Sequence, residues 1–456
     1  MGRLWASSAR IATIVLALLL RWPRLSYGID PDESALVAAP DFWGIVFDQE
    51  SSRNPPLHRL FDLWFTPVAA IEHGRWFSLL SSLLTTALAF ELGLTLEGIA
   101  GGVAAALFIA VNPALVEHAA LYRAYAPWLA VATWHVLAAV KLLSGNSRGT
   151  LWAVQFSISA LLLPWLHYVS LPLLALEALG FALFKSHRRY LWLLVPALFA
   201  AVPLPRLMLS GNSGPVEDSS TFSWFLWTLG FRADRRITPL IVIAAVIGFR
   251  KLLPVERLLW LAGLASAALI AALDLVLLVR PPAVHWLMPT LGIALALLPF
   301  RKALHWSLRA VSAAAVIGLL VSGFAEARRG GGCTRQGPKA VARVLDLLAR
   351  SRAERPIYVQ QVWLGVLSLY LTGERFASVA HQDPAGDVLS VDGLPFVPLE
   401  SRTRAPIEGL VLTFPCAGAL PRPDGCSWLR ETPDYGIMDC HAAHFPNRSP
   451  EGALVK

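Results

Sequence analysis

LLLRWPRLSYGIDPDESALVAA, residues 18–39, runs from the end of an apolar segment through two arginines into Asp30, Asp32 and Glu33, three carboxylates within four positions. An apolar run of span length that ends in Arg21, Trp22 and Arg24 reads as a membrane anchor, because a cleaved signal peptide would carry small residues there instead. The chain beyond Arg24 is therefore a loop that begins at the membrane surface, and its acidity must be explained there.

The rest of the chain fits that reading. It has 456 residues, 55% hydrophobic and only 15% charged, with 17 tryptophans. Its mean hydropathy is +0.55. Soluble domains carry about 25% charged residues, so the composition is that of a polytopic membrane protein. Trp22, Trp76, Trp128, Trp165 and Trp286 sit near the ends of apolar runs, where indole rings favour the headgroup region. The net charge of +8 comes from short basic loops between apolar runs, so membrane topology accounts for it and no nucleic-acid partner is implied.

Runs of about 17 to 25 apolar residues predict spans near 8–25, 76–95, 98–113, 125–143, 151–166, 168–184, 190–209, 237–250, 257–279, 284–300 and 309–325, about eleven crossings. Lys141 with Arg148, KSHRR at 185–189, Arg250 with Lys251 and Arg257, and Arg301 with Lys302 and Arg309 all fall on the side of the N-terminus, which the positive-inside rule makes cytoplasmic. Arg232, Arg235, Arg236, Arg328 and Arg329 run against the pattern. The same parity puts the first loop, 26–75, and the tail, 326–456, outside. Residues 57–72, LHRLFDLWFTPVAAIE, are interrupted by Arg59, Asp62 and Pro67, and are expected to lie along the outer surface as an amphipathic helix.

All four cysteines, Cys333, Cys416, Cys426 and Cys440, lie in the tail, which suggests disulfides in an oxidising compartment, with the pairing open. After RRGGG, the tail reads as a helix at 339–351, a strand in PIYVQQV and a second helix in GVLSLYLTG, a small α/β domain. The expected architecture is mainly α: a transmembrane helical bundle over 1–325 with an extracytoplasmic α/β domain over 326–456.

Polar groups in such a chain are informative, because a charge at bilayer depth costs roughly 2.5 to 3.5 kcal/mol or more. On the outer side the topology collects Asp30, Asp32, Glu33, Asp48, Glu50, Arg53, His58, Glu117, His118, Tyr122, Arg123 and Tyr125, with His167, Tyr168, Arg280 and His285 at later span ends. A carboxylate above the hydrocarbon can act as general base while fixed cations hold an anionic leaving group, and phosphate is the natural one at a membrane surface. Asp32 and Glu33 equally suit the start of a juxtamembrane helix, and Arg123 equally suits an interfacial arginine with its stem in lipid. No histidine pair has convincing metal-ligand spacing. No Gly-rich phosphate loop, HExxH, GxSxG or CxxC is present.

In order, LLLRWPRLSYGIDPDESALVAA, RNPPLHRLFDLWF, EHGRWFSLLSSLLTTALAFELG, VNPALVEHAALYRAYAPWLA and LPWLHYVSLPLL resemble the GT-C superfamily of integral membrane glycosyltransferases, in particular the bacterial relatives of protein O-mannosyltransferases and lipid A aminoarabinose transferases. The likeness runs over about residues 10 to 180. Asn54 stands where the family usually has His or Lys, and His285-Trp286 departs from its Arg-Tyr. The resemblance implies an inverting transfer of a sugar from a polyprenyl-phosphate donor to a glycan, lipid or protein acceptor at the outer face of the bacterial inner membrane. It further implies Asp32 as base, Glu33 positioning the acceptor or a cation, Arg123 at the donor phosphate, and Arg53, His58, Tyr125, His167, Tyr168 and Arg280 as further substrate-binding candidates. A divalent cation is compatible with the acidic loop, but no ligand set is readable. Two other classes remain in view: a lipid or sugar transporter, for which Asp274 is the main mid-span carboxylate, and a GT-C-shaped assembly protein without catalysis.

Overall fold

The computed structural model of the chain describes residues 2–26, 29, 33, 57, 63–145, 148–167, 170–183, 185–197, 254–277, 288–329, 356–359, 361–372, 380–383, 386–391, 394–399, 407–414, 425–431 and 435–443. Among them, five helices are long and apolar enough to cross a membrane.

The first, α1 (Gly2–Arg21), runs antiparallel to the first half of α2 (Pro67–Ala110). Arg10 reaches Glu91 at 2.7 Å, Arg21 reaches Ser82 at 2.8 Å, and Trp22 meets Trp76 edge to face at 5.3 Å. With 44 residues, α2 is far too long for one crossing: at about 1.5 Å per residue it would extend about 66 Å, against a hydrocarbon core of roughly 30 Å. It breaks at Glu97–Gly98, where Gly98 takes φ 72°, a conformation that glycine adopts without strain. Its halves fold back on each other so closely that a Cβ on Gly93 would lie 2.3 Å from the Gly101 carbonyl oxygen. Small residues thus let two backbones touch, as apolar helices in lipid require. This hairpin supplies the predicted second and third spans. Its first helix begins at Pro67, however, so residues 67–75 are its opening turns; they are not the end of a surface helix or of the loop expected over 26–75. Val68 and Ile71 of VAAI pack in the core that Tyr122 shares with the tail.

A buried arginine closes the hairpin. Arg21, 0% exposed, donates to the carbonyls of Ile109 and Ala110 at the C-terminus of α2 (3.1 and 2.8 Å), as well as to Ser82 and to Ala17. Carbonyls at a helix end lack partners within the helix, and this guanidinium satisfies them. Arg24 likewise donates to Ala327 at 2.8 Å, near the end of α9 (Trp306–Arg329). The ends of α1, α2 and α9 therefore meet on one side of the bundle, hereafter the site end.

Between them come α3 (Pro113–His118), α4 (Tyr125–Leu143), α5 (Gly149–Leu166), α6 (Ser170–Leu183), a 3-10 stretch (Lys185–Leu194), α7 (Pro254–Leu277), and a segment that passes from π-helix (Met288–Gly292) through α8 (Ile293–Leu297) to 3-10 helix (Leu298–Phe300). The spans expected at 237–250 and over most of 190–209 lie outside the described residues, as do the helix at 339–351, Cys333 and Cys416. At the end opposite the site, Arg301 Nη1 donates to Glu97 at 2.7 Å and its Nε lies 2.9 Å from Glu256. That side was expected to carry the basic loops. The carboxylates are there because they neutralise a mostly buried arginine.

The tail holds a seven-stranded sheet in the order β2-β3-β4-β1-β5-β7-β6. β1 (Ile357–Val359) is parallel to β4 (Leu394–Pro398) and β5 (Ile407–Thr413); β2 (Ala380–Asp383), β3 (Gly386–Val391), β6 (Cys426–Glu431) and β7 (Gly436–Ala443) pair antiparallel. The strand read in PIYVQQV is shorter than its pattern, since α10 (Gln361–Thr372) already begins at Gln361. Ile357 and Val359 face α10, while Tyr358 faces the other side beside the Cys426–Cys440 disulfide that joins β6 to β7.

Candidate active site

The core beneath α10 does not stop at the tail. Leu364, Leu367, Phe396 and Leu412 pack in one cluster with Ile29, Ile71 and Tyr122 from the site end of the bundle. The α/β unit is thus seated on the start of the acidic segment that leaves α1.

Glu33 lies at the centre of this junction. It is 0% exposed, and Arg75 grips it with two bonds, Nε to Oε1 at 2.8 Å and Nη2 to Oε2 at 2.5 Å. The backbone N–H of Tyr122 donates to Oε1 at 2.6 Å. A buried charge is tolerated only when paired and hydrogen-bonded, and this one is both. The Tyr122 ring, fully buried, lies across α2 at Gly74, where an added Cβ would be 1.9 Å from Cδ2.

Local sequence builds the turn that carries Tyr122. Asn112 caps α3 by accepting from the Leu115 N–H at 3.2 Å, with Pro113 following as the first helical residue. After His118 the chain tightens, with Arg123 N–H donating to Leu121 at 2.9 Å, and α4 starts at Tyr125. The Arg123 guanidinium then lies 5.7 Å from the centre of the Tyr125 ring, with Nη1 3.5 Å from its hydroxyl. Tyr125 meets His118 edge to face at 4.8 Å and His167 at 5.8 Å. His167, at the end of α5, stacks on Trp128 at 4.5 Å, and Trp128 Nε1 donates to Ser170 at 2.7 Å.

Of the residues singled out from sequence, the structure therefore brings Arg123, Tyr125 and His167 together and ties their turn to Glu33. Asp32, Arg53, His58, Tyr168, Arg280 and His285 lie outside the described residues, as does the side chain of Asp274. Among the described residues no group of three His, Cys, Asp or Glu is placed to hold a metal ion. Arg75 was missed as a site residue, although EHGRW places an arginine at the start of a span, where a charge needs a partner. Tyr122 was noted only as one polar group among many, and Tyr370 sits in the apolar pattern of GVLSLYLTG, which conceals its hydroxyl.

Treating Asp274 as the main mid-span carboxylate also overlooked Glu177 in α6. His135 in α4 bridges Ser159 and Glu177, at 2.9 Å each, beside an apolar cavity of about 310 Å³ between α4, α6 and α7. Ser159 also donates to backbone carbonyls of its own helix. The three form a closed polar set linking α4, α5 and α6.

A bundle of apolar helices with an acidic segment and an Arg-Tyr turn at one end, covered there by an α/β unit, is the fold this chain shares with the solved ArnT structures. Among solved structures, the chain is similar to ArnT from Cupriavidus metallidurans in the apo state, with a TM-score of 0.52 and 13% identity over 95% of this chain and 98% of that one. Similarity to the same protein bound to undecaprenyl phosphate has a TM-score of 0.52 and 13% identity, over 94% and 97%. A looser match, to the arabinofuranosyltransferase AftD from Mycobacteria, has a TM-score of 0.44 and 15% identity over 79% of this chain and 29% of that one. No protein-family model matches the sequence, nor does any curated protein.

Proposed function

We propose that this chain is a glycosyltransferase that takes a sugar from a polyprenyl-phosphate carrier and passes it, with inversion, to an acceptor at the outer face of the inner membrane. One observation carries the reading. The hydrogen bond from Tyr122 N–H to Glu33 joins the residue preceding Arg123 to the residue following Asp32. Neighbouring Cα atoms are about 3.8 Å apart, so the proposed base and the proposed phosphate-binding cation are each one residue from the same contact.

In this reaction Asp32 takes the proton of the acceptor hydroxyl. The oxygen attacks the anomeric carbon, the bond from that carbon to phosphate oxygen breaks on the opposite side, and polyprenyl phosphate leaves with its charge held by Arg123. Arg53, His58, Tyr168 and Arg280 are proposed to line the donor and acceptor sites with Tyr125 and His167. Glu33, both of whose oxygens are engaged, is assigned to holding the acidic segment in place. The similarity in fold to a protein bound to undecaprenyl phosphate supports the choice of donor. The orientation follows from the basic loops, with the N-terminus cytoplasmic and the α/β unit outside.

The test is to incubate the purified protein with a panel of polyprenyl-phosphate sugars and to measure release of polyprenyl phosphate. Release that depends on an added acceptor supports the reading. Substrate flux across a vesicle membrane with no covalent product would replace it by transport.

A further inference from the structure

Residues 29–33 are tied at both ends, by different parts of the molecule. Glu33 is held by Arg75 and the Tyr122 N–H, both from the bundle. Ile29 is held by the tail: its N–H donates to the phenolic oxygen of Tyr370 at 2.8 Å, and its side chain, 4% exposed, packs in the core that includes Leu364 and Leu367 of α10. Between the two ties lie Asp30, Pro31 and Asp32. We propose that Tyr370 is a positioning residue, by which the α/β unit fixes the near end of this segment and so sets the placement of Asp32. The proposal rests on the reading of Asp32 as the base.

The chemistry of the contact supports it. A backbone N–H removed from water needs an acceptor, and Ile29, which is assigned to no strand or helix, finds it in Tyr370. A phenylalanine at 370 would fill the same apolar space without accepting. Released at Ile29, the segment loses the tie at its near end. A single neutral hydrogen bond contributes little to overall stability, whereas a shift of about 1 Å in a reacting group can cost about a hundredfold in rate. The effect of Tyr370 should therefore fall on turnover far more than on folding.

The experiment compares the full-length protein with Tyr370→Phe in lipid nanodiscs, using hydrogen exchange read by mass spectrometry and polyprenyl-phosphate release. Expected for the variant are exchange at the Ile29 amide faster by about five- to tenfold, unchanged exchange across 357–372 and 407–414, kcat lower by about tenfold or more, and a donor KM within about twofold of the parent. Unchanged exchange at Ile29 overturns the proposal. So does faster exchange throughout the α/β unit, which means general undocking, and so does faster exchange at Ile29 with kcat intact. If the parent releases no polyprenyl phosphate with any sugar, the glycosyltransferase reading falls, and with it the role toward Asp32, while the exchange difference still decides whether Tyr370 holds the segment.

Discussion

Arg75 and Glu33 form a two-bond ion pair almost wholly removed from solvent, joining the first turns of α2 to the acidic segment 42 residues earlier in the chain. Removing one partner leaves the other charged and unpaired, which typically costs about 3 to 5 kcal/mol, while replacing both with apolar groups of similar volume is far less damaging. Glu33→Gln and Arg75→Met should each lower the thermal unfolding midpoint in detergent clearly. The double variant should recover part of the loss, since the amide oxygen of the introduced glutamine can still accept from the Tyr122 N–H. If the double variant melts below both singles, the pair is not what holds this junction.

Asp32→Asn keeps the size and much of the hydrogen bonding of the side chain but removes its basicity. Polyprenyl-phosphate release should fall at least about a hundredfold, within the range that general-base catalysis commonly contributes, with membrane abundance unchanged. Full activity in that variant would remove Asp32 from the mechanism. Arg123→Gln should weaken donor use in the same assay, and Arg123→Lys should rescue it incompletely, because a point charge does not reproduce the guanidinium fork.

Gly74→Ala adds one methyl group where the ring of Tyr122 already lies, with Cδ2 at 1.9 Å and Cε2 at 2.3 Å from the new atom. The ring is fully buried and cannot swing aside freely, so the turn must move and take its N–H away from Glu33. Loss of both stability and activity is expected. Restoration in Gly74→Ala combined with Tyr122→Ala would trace the damage to this one collision.

Burial raises the pKa of the Tyr370 phenol above its ordinary value of about 10, partly offset by the N–H of Ile29. The native state therefore holds this proton more tightly than the unfolded chain does. The stabilisation is complete below about pH 10 and is lost as pH rises through the elevated native value. Between about pH 9 and 11 the parent should lose more thermal stability than Tyr370→Phe. Equal losses would mean that the phenol is not held in its neutral form.

Orientation has a direct check. A cysteine at Arg188 should react with a membrane-impermeant maleimide only after the cytoplasmic face is opened, and one at Ser427 should react from outside, both positions being exposed. The reverse pattern would invert the topology and move the chemistry to the other face.

The membrane class, the break between the second and third spans, and the residues of the Arg-Tyr turn were legible because each leaves a mark in local pattern: apolar length, a Gly flanked by helix, an aromatic beside a cation. What escaped depends on long-range pairing. Arg75 and Glu33 are an ordinary arginine and an ordinary glutamate until the fold puts them together, and His135 with Glu177 are hidden within long apolar runs for the same reason. The start of α2 differs from expectation because VAAI suits a surface helix and a packed one equally, and only the core containing Ile71 and Tyr122 separates the two.

The arginines that end α1 bear on how the protein is made. Arg21 takes carbonyls at positions 109 and 110, and Arg24 takes one at 327, so these two cations close contacts with segments 88, 89 and 303 positions later in the chain. Assembly of the site end is therefore finished late: the latch at Arg24 cannot close until the ribosome has made the end of α9.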